Sequence, residues 1–216
     1  MKPTKKRILL AAKDCFATKG VAATRLQDIA ELAGMSIGNM VYHFRNQVEM
    51  LEVIYTSFQQ RQEELLQDIC LSPVFSNIDE YLQNAFQLHQ EFLFFPLHTP
   101  EVLSASPRIS SEWREHLRWK DLQLELMLRF NQARGALSWD EETYPVGDLA
   151  VLWRRTIDGW PMHRVVEQKN LDDFLAFRKS AWSVLLSLIT PEARPEYLRL
   201  HFTSAPQVQN TVIDEE

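Results

Sequence analysis

Apolar positions recur at helical spacing along nearly the whole chain and period-2 alternation is scarce, which predicts an all-α protein. Ile8, Ala12 and Phe16 fall four apart and predict a first helix of about 15 residues ending at Lys19-Gly20. Leu26, Ile29, Ala30 and Ala33 stand at i, i+3, i+4 and i+7 and give a short second helix one apolar face. Thr24 and Gln27 have the spacing of a capping box that would start it. Gly34 stands where a helix ends in a residue of positive φ. Ser36 offers an N-cap for a third helix from Ile37 to about Phe44. Val48, Leu51, Tyr55, Phe58, Leu65 and Ile69 then share one stripe of a long fourth helix.

Beyond a break at Leu71-Ser72-Pro73-Val74, the spacing predicts a fifth helix over 78–95 with Ile78, Leu82, Ala85, His89 and Phe92 inward. Pro96, Pro100 and Pro107 mark a loop region holding a short helix around 101–105. A long helix over 110–134 carries Trp113, Leu117, Leu124 and Leu128 and stops at Gly135. Two more cover 145–168 and 171–189, the first kinked near Trp160 by Gly159-Trp160-Pro161. The tail from Pro191 holds three prolines and ends acidic, which predicts partial disorder. The expected organisation is about nine helices: a three-helix domain over 1–46, a larger helical domain over 47–190 entered through the fourth helix, and a tail over 191–216.

Two short helices joined by a turn containing Gly make the helix-turn-helix pattern, whose second helix lies in the DNA major groove. On that helix Ile37, Gly38, Asn39, Tyr42 and His43 form the outward face, while Met40 and Phe44 pack back. Asn39 can read adenine through its amide, Ile37 and Val41 can touch thymine methyls, and Gly38 lets the backbone approach a base. Tyr42 and His43 can donate to phosphate, as can Thr24 and Ser36 near helix N-termini. Charge changes the picture in the same direction. Residues 1–50 hold eight Lys/Arg against four Asp/Glu, a net of +4, which leaves −10 for the rest of a chain whose total is −6. A basic module on an acidic body focuses attraction for DNA onto one end.

Together these residues resemble the N-terminal domain of the TetR family of bacterial transcription regulators. The resemblance rests on Ile8-Leu9, Ala11-Ala12, Cys15-Phe16, Gly20, Thr24, Ile29-Ala30, Ala33-Gly34, Ser36, Gly38-Asn39-Met40, Tyr42-His43-Phe44 and Leu51. It implies DNA contacts at Thr24, Gln27, Ser36, Ile37, Gly38, Asn39, Val41, Tyr42, His43 and Gln47. Two positions depart from the family pattern: Val41 stands where Tyr is frequent, and Gln47 where Lys is frequent. An amide can donate to phosphate but releases no counterion, which implies weaker or less salt-dependent binding. The resemblance further implies a helical effector domain and a homodimer formed by the last two large helices, where Trp182 and Leu185 would pack. All six tryptophans follow residue 110. An effector pocket would lie near Phe92, Trp113, His116, Trp153 and Trp160, a lining suited to an apolar or aromatic ligand.

The remaining chemistry excludes more than it suggests. Cys15 and Cys70 do not form a disulfide framework, and Cys15 reads as a packed thiol. The six histidines are scattered without an i, i+4 pair. His89 with Glu91, and His116 with Glu112, read as solvated ion pairs rather than metal ligands. No phosphate loop, nucleophile elbow or zinc-protease motif is present, so neither catalytic residues nor a cofactor are predicted. No apolar run approaches the length of a membrane span, and the basic N-terminus lacks a secretory signal; a cytoplasmic protein is expected. The expected function is a sequence-specific regulator on a pseudo-palindromic duplex operator, a repressor released by a small ligand. The alternative is an all-helical protein whose aromatic pocket serves an enzyme or partner-binding role, its DNA motif decayed.

Overall fold

The structure, a computed structural model, describes residues 3–200. Ten helices follow in order: α1 Pro3–Lys19, α2 Leu26–Leu32, α3 Ile37–His43, α4 Gln47–Leu71, α5 Phe75–Glu91, α6 Phe94–Ala105, α7 Pro107–Ala133, α8 Val146–Val166, α9 Phe174–Leu186 and α10 Arg194–Leu198. Among the described residues the only β pairing is an isolated bridge between Leu137 and Ile189. The all-α expectation holds, and the first four helices lie where their periodicity put them.

Two apolar clusters organise the molecule. The first joins Ile8, Ala12 and Phe16 of α1, Ile29 and Ala30 of α2 and Met40 of α3 to Tyr55 and Phe58 of α4 and to Phe92, Phe94 and Phe95. The small N-terminal domain therefore has no core of its own; it shares one across position 46 with α4, α5 and α6. The second cluster lies among the C-terminal half of α4, α5, α7, α8 and α9, around Trp153 and Trp182.

Three elements differ from the sequence expectation, each for a physical reason. The loop region around 96–107 is helical. His98 leaves helical geometry (φ −123°, ψ 27°) two residues before Pro100, so the hydrogen bond that proline cannot make falls at a break. Pro107 takes the first helical position of α7, where a missing N–H costs nothing, after the cap Ser106. Helix α8 is one continuous helix that contains the buried Pro161, beside which the sequence predicts a kink. Residues 191–200 are not disordered: Glu196 of α10 accepts the Phe75 N–H (2.9 Å) and pairs with Arg134 (2.7 Å), while Tyr197 packs on Trp182 (5.3 Å). Glu196 thus caps α5, whose own N-cap Val74 has no side-chain acceptor. Positions 201–216, including His201, lie outside the described residues.

Candidate nucleic-acid interface

The turn between α2 and α3 closes by backbone bonds that require Gly34. Its N–H donates to Glu31 O (3.0 Å) and the Met35 N–H to Ala30 O (3.0 Å), a Schellman closure with Gly34 at φ +63°. Ser36 then caps α3, its Oγ accepting the Asn39 N–H at 3.3 Å. With Met40 and Phe44 buried, α3 presents Ile37, Gly38, Asn39, Val41 and Tyr42 to solvent, with His43 half-buried. Tyr42 is 85% exposed, and its ring meets His43 edge-on at 5.3 Å. Ile37 and Val41 are 44% and 40% exposed on the same helix. Gln27 is exposed at the start of α2 and donates to Glu31 Oε1 (3.0 Å). Gln47 opens α4 behind its cap Asn46, whose Oδ1 accepts the Glu49 N–H (2.9 Å).

Thr24 corrects the expected capping box. It is 2% exposed, and its hydroxyl donates inward to Gly20 O (2.7 Å) and Cys15 O (3.2 Å). The N-cap of α2 is Arg25, whose N–H is held by Asp28 Oδ2 (2.8 Å). Asp28 also bonds Lys19 (2.8 Å); that bond and the Arg25 N–H keep its carboxyl below the usual range. Thr24 therefore ties α2 to the end of α1 and has no hydroxyl donor left for a phosphate.

The body grips this module at the turn after α1. Gly20 sits at φ +79°, and a side chain there would meet Glu101 Oε2 of α6 at 2.9 Å. The same oxygen accepts the Ala22 N–H (3.1 Å), and Phe16 packs on Phe94 (5.7 Å). Glu101 and Phe94 thus join α6 to α1 and to the turn that leads into α2.

The five expected effector-pocket residues do not surround one cavity. Phe92 and Trp113 join the first cluster through Phe58 and Phe95 (Phe58–Phe92 5.3 Å, Phe95–Trp113 4.9 Å). Trp153 and Trp160 belong to the second, where Trp153 Nε1 donates to Ala181 O (2.9 Å) and Trp160 packs on Phe177 (5.4 Å). His116 lies between the clusters with Nε2 2.8 Å from Gln62 Oε1.

His116 belongs to a buried polar chain that spacing alone did not reveal. Lys120, 2% exposed, bonds Asp158 Oδ1 (2.7 Å), and His89 Nε2 lies 3.8 Å from the same oxygen. Gln62 and His116 tie α4 to α7, and Lys120, one turn on from His116, joins Asp158 and His89 to tie α7 to α8 and α5, with the Asp158 side chain 21% exposed. Burial pushes His89 and His116 down to about 4, with the Lys120 ammonium acting in the same sense. Burial works to raise Asp158, but Lys120 and His89 outweigh it and hold the carboxyl low. Neither histidine is the solvated ion pair expected from its sequence neighbours. The signal available in the sequence was Lys120 itself, one turn from His116 and from Leu124 on an inward face. The void beside this chain, touched by Gln62, His89 and Lys120, is only about 10 Å³, too small for an organic ligand unless the helices part.

Trp182 and Leu185 also require correction as dimer-interface residues: they are 1% and 0% exposed within a single chain. Trp182 Nε1 donates to Asp79 Oδ1 (3.0 Å) and its ring packs on Phe75 (5.4 Å). The outward stripe of α8 instead carries Leu152, Thr156, Gly159, Met162, His163 and Val166. Cys15 is a buried free thiol and Cys70 a half-buried one. Among the described residues no three His, Cys, Asp or Glu side chains gather as a metal site, and no helix is long and apolar enough to cross a membrane.

Comparison with known proteins agrees with this geometry. The sequence model for bacterial regulatory proteins of the tetR family matches residues 8–54, from α1 into α4. The HTH-type transcriptional regulator TtgR of Pseudomonas putida is 39% identical over 62 residues, 29% of this chain and 30% of TtgR; the match thus spans under a third of that relative. Over most of the chain the likeness is one of fold. A TetR-family regulator from Marinobacter aquaeolei superposes with a TM-score of 0.78 at 20% identity, covering 93% of this chain and 97% of that one. SmeT of Stenotrophomonas maltophilia, in complex with triclosan, gives 0.60 at 20% identity over 89% and 94%. Residues 8–54 thus carry the sequence signature of the tetR family of bacterial regulatory proteins, and the helical body continuous with them has the fold of the solved TetR-family structures.

Proposed function

We propose that this protein is a sequence-specific transcription regulator of the cytoplasm that binds duplex DNA through α3. The observation that carries this is the outward face of α3: Ile37, Gly38, Asn39, Val41 and Tyr42 have no packing duty, yet stand on a helix fixed by the Ser36 cap and the buried Met40 and Phe44. Asn39 reads a base edge; Ser36, Tyr42, His43, Gln27 and Gln47 hold phosphates. Thr24 acts only as the strut beneath them. Selection from random duplexes under rising salt tests the proposal. It predicts enrichment of one site whose binding weakens as salt rises; enrichment of nothing would overturn it.

The protein acts as a homodimer through α8 and α9, on an operator whose two-fold symmetry matches its own. The contact is the outward stripe of α8 around Leu152, Gly159 and Met162. Met162→Glu places a like pair of charges at that contact and is expected to shift sedimentation from dimer to monomer; a variant that stays dimeric contradicts this interface. The regulator is a repressor released by a small apolar effector. Support comes from the SmeT–triclosan complex and from the contact of α6 with the α1–α2 turn, through which a rearranged body moves the head. An effector works only by preferring the conformer that does not fit the operator. It enters by parting α4, α5, α7 and α8 next to the polar chain, with Trp113 and His116 at the edge of the opening.

A further inference from the structure

A groove of about 280 Å³ runs along the seam between the DNA-binding module and the body. Leu9 and Leu10 of α1 form one wall, Val53 and Ile54 of α4 the other, and Phe92 closes the floor. Leu10 and Val53 are half exposed, so each wall keeps an apolar surface open to solvent. The rim is cationic. Lys6 and Lys13 overhang the α1 side, and Lys13 and Arg61 both lie over the Phe92 ring (4.3 and 5.6 Å). The one carboxylate among them is Glu91, bonded by Lys13 at 3.0 Å and also by Arg61. Lys6 has no ion-pair partner among the described residues. Three cations against one anion leave an uncompensated positive rim above an apolar trough.

We propose that this seam groove binds a small amphiphilic carboxylate, its apolar part between Leu10 and Val53 and its carboxylate at Lys6 and Lys13. Apolar walls supply the driving force and the cations the orientation, the usual division of labour in a small-molecule site. The concavity accommodates one small molecule and not a bilayer, and the −10 charge of the chain beyond residue 50 opposes an anionic membrane. A ligand seated there touches α1 and α4 together, the two helices on which the DNA-binding module is carried.

The test is a titration of the full-length protein, without DNA, using octanoate as probe. Binding is followed by the methyl NMR signals of leucine, isoleucine and valine. Saturable shifts centred on Leu9, Leu10, Val53 and Ile54 are expected, with 1-octanol binding far more weakly. Lys6→Glu, an exposed and unpaired position, is expected to weaken octanoate about tenfold, the scale of one lost charge-assisted contact. Leu10→Asp should do the same while Tm stays unchanged. Absence of saturation, shifts centred on the bundle interior, equal binding of 1-octanol, or binding only to anionic phosphatidylglycerol vesicles would each overturn the proposal. Because no DNA is present, failure here leaves the regulator proposal standing, and failure of operator selection leaves this one standing.

Discussion

The two ends of the molecule solve opposite problems. Around α1–α4 the buried positions are almost all apolar and the polar groups stand outside; in the body a lysine, a carboxylate, two imidazoles and an amide run through the middle of the bundle. An apolar core with a polar skin is held by burial alone, so its surface residues are free to serve a partner. A buried ionic chain stabilises only while every member keeps its partner. Substitutions on the outward face of α3 should therefore change binding and spare stability, whereas substitutions in the body chain should act first on stability.

The largest expected effect comes from Asp158→Ala, which strands the buried Lys120. A loss of about 3–5 kcal/mol is expected from urea unfolding. Replacing both partners, as in Lys120→Met with Asp158→Leu, should recover most of it; a single variant as stable as the parent would mean that the chain carries no such strain.

Acid titration sharpens the same contrast. His89 and His116 are held neutral in the fold down to about 4, while unfolded histidine takes up its proton near 6.5. The unfolded state thus binds more protons between those values, and stability falls as pH drops from about 6.5 toward 4. Midpoints of urea unfolding across that window measure it, and His89→Leu should flatten the slope. A slope unchanged in that variant would place the responsible protons elsewhere.

At the head the effects are smaller. Ser36→Ala removes the cap of α3 and should cost about 1 kcal/mol in thermal unfolding. Tyr42→Ala should stay within about 0.5 kcal/mol and instead weaken duplex binding. A Tyr42 variant that unfolds early would show that the exposed ring packs after all.

The same contrast explains what the sequence made legible. Ile8, Ala12, Phe16, Ile29 and Ala30 keep a strict period because nothing but apolar contact sets their positions, and Gly34 and Ser36 act through local backbone geometry. Thr24 was misplaced because a hydroxyl three residues before Gln27 has the spacing of a cap, whereas its bonds to Gly20 and Cys15 depend on how α1 meets α2. The polar chain depends on four helices meeting, which no window along one helix contains. Glu196 lies 121 residues from the N–H it caps, and Trp182 and Leu185 were assigned to a partner because an apolar helix face does not announce whether its own chain or another covers it.

The most direct test measures Asn39→Ala beside the parent protein, in duplex binding and thermal unfolding together, on a site selected from random duplexes. Asn39 is exposed, and its side chain has no structural bond among the described residues. The predicted result is an unchanged Tm with a loss of about 1–3 kcal/mol in binding to that site, and little change on scrambled duplex. An unchanged affinity of the variant for the selected site, with the parent's preference over scrambled duplex retained, would contradict base reading by α3.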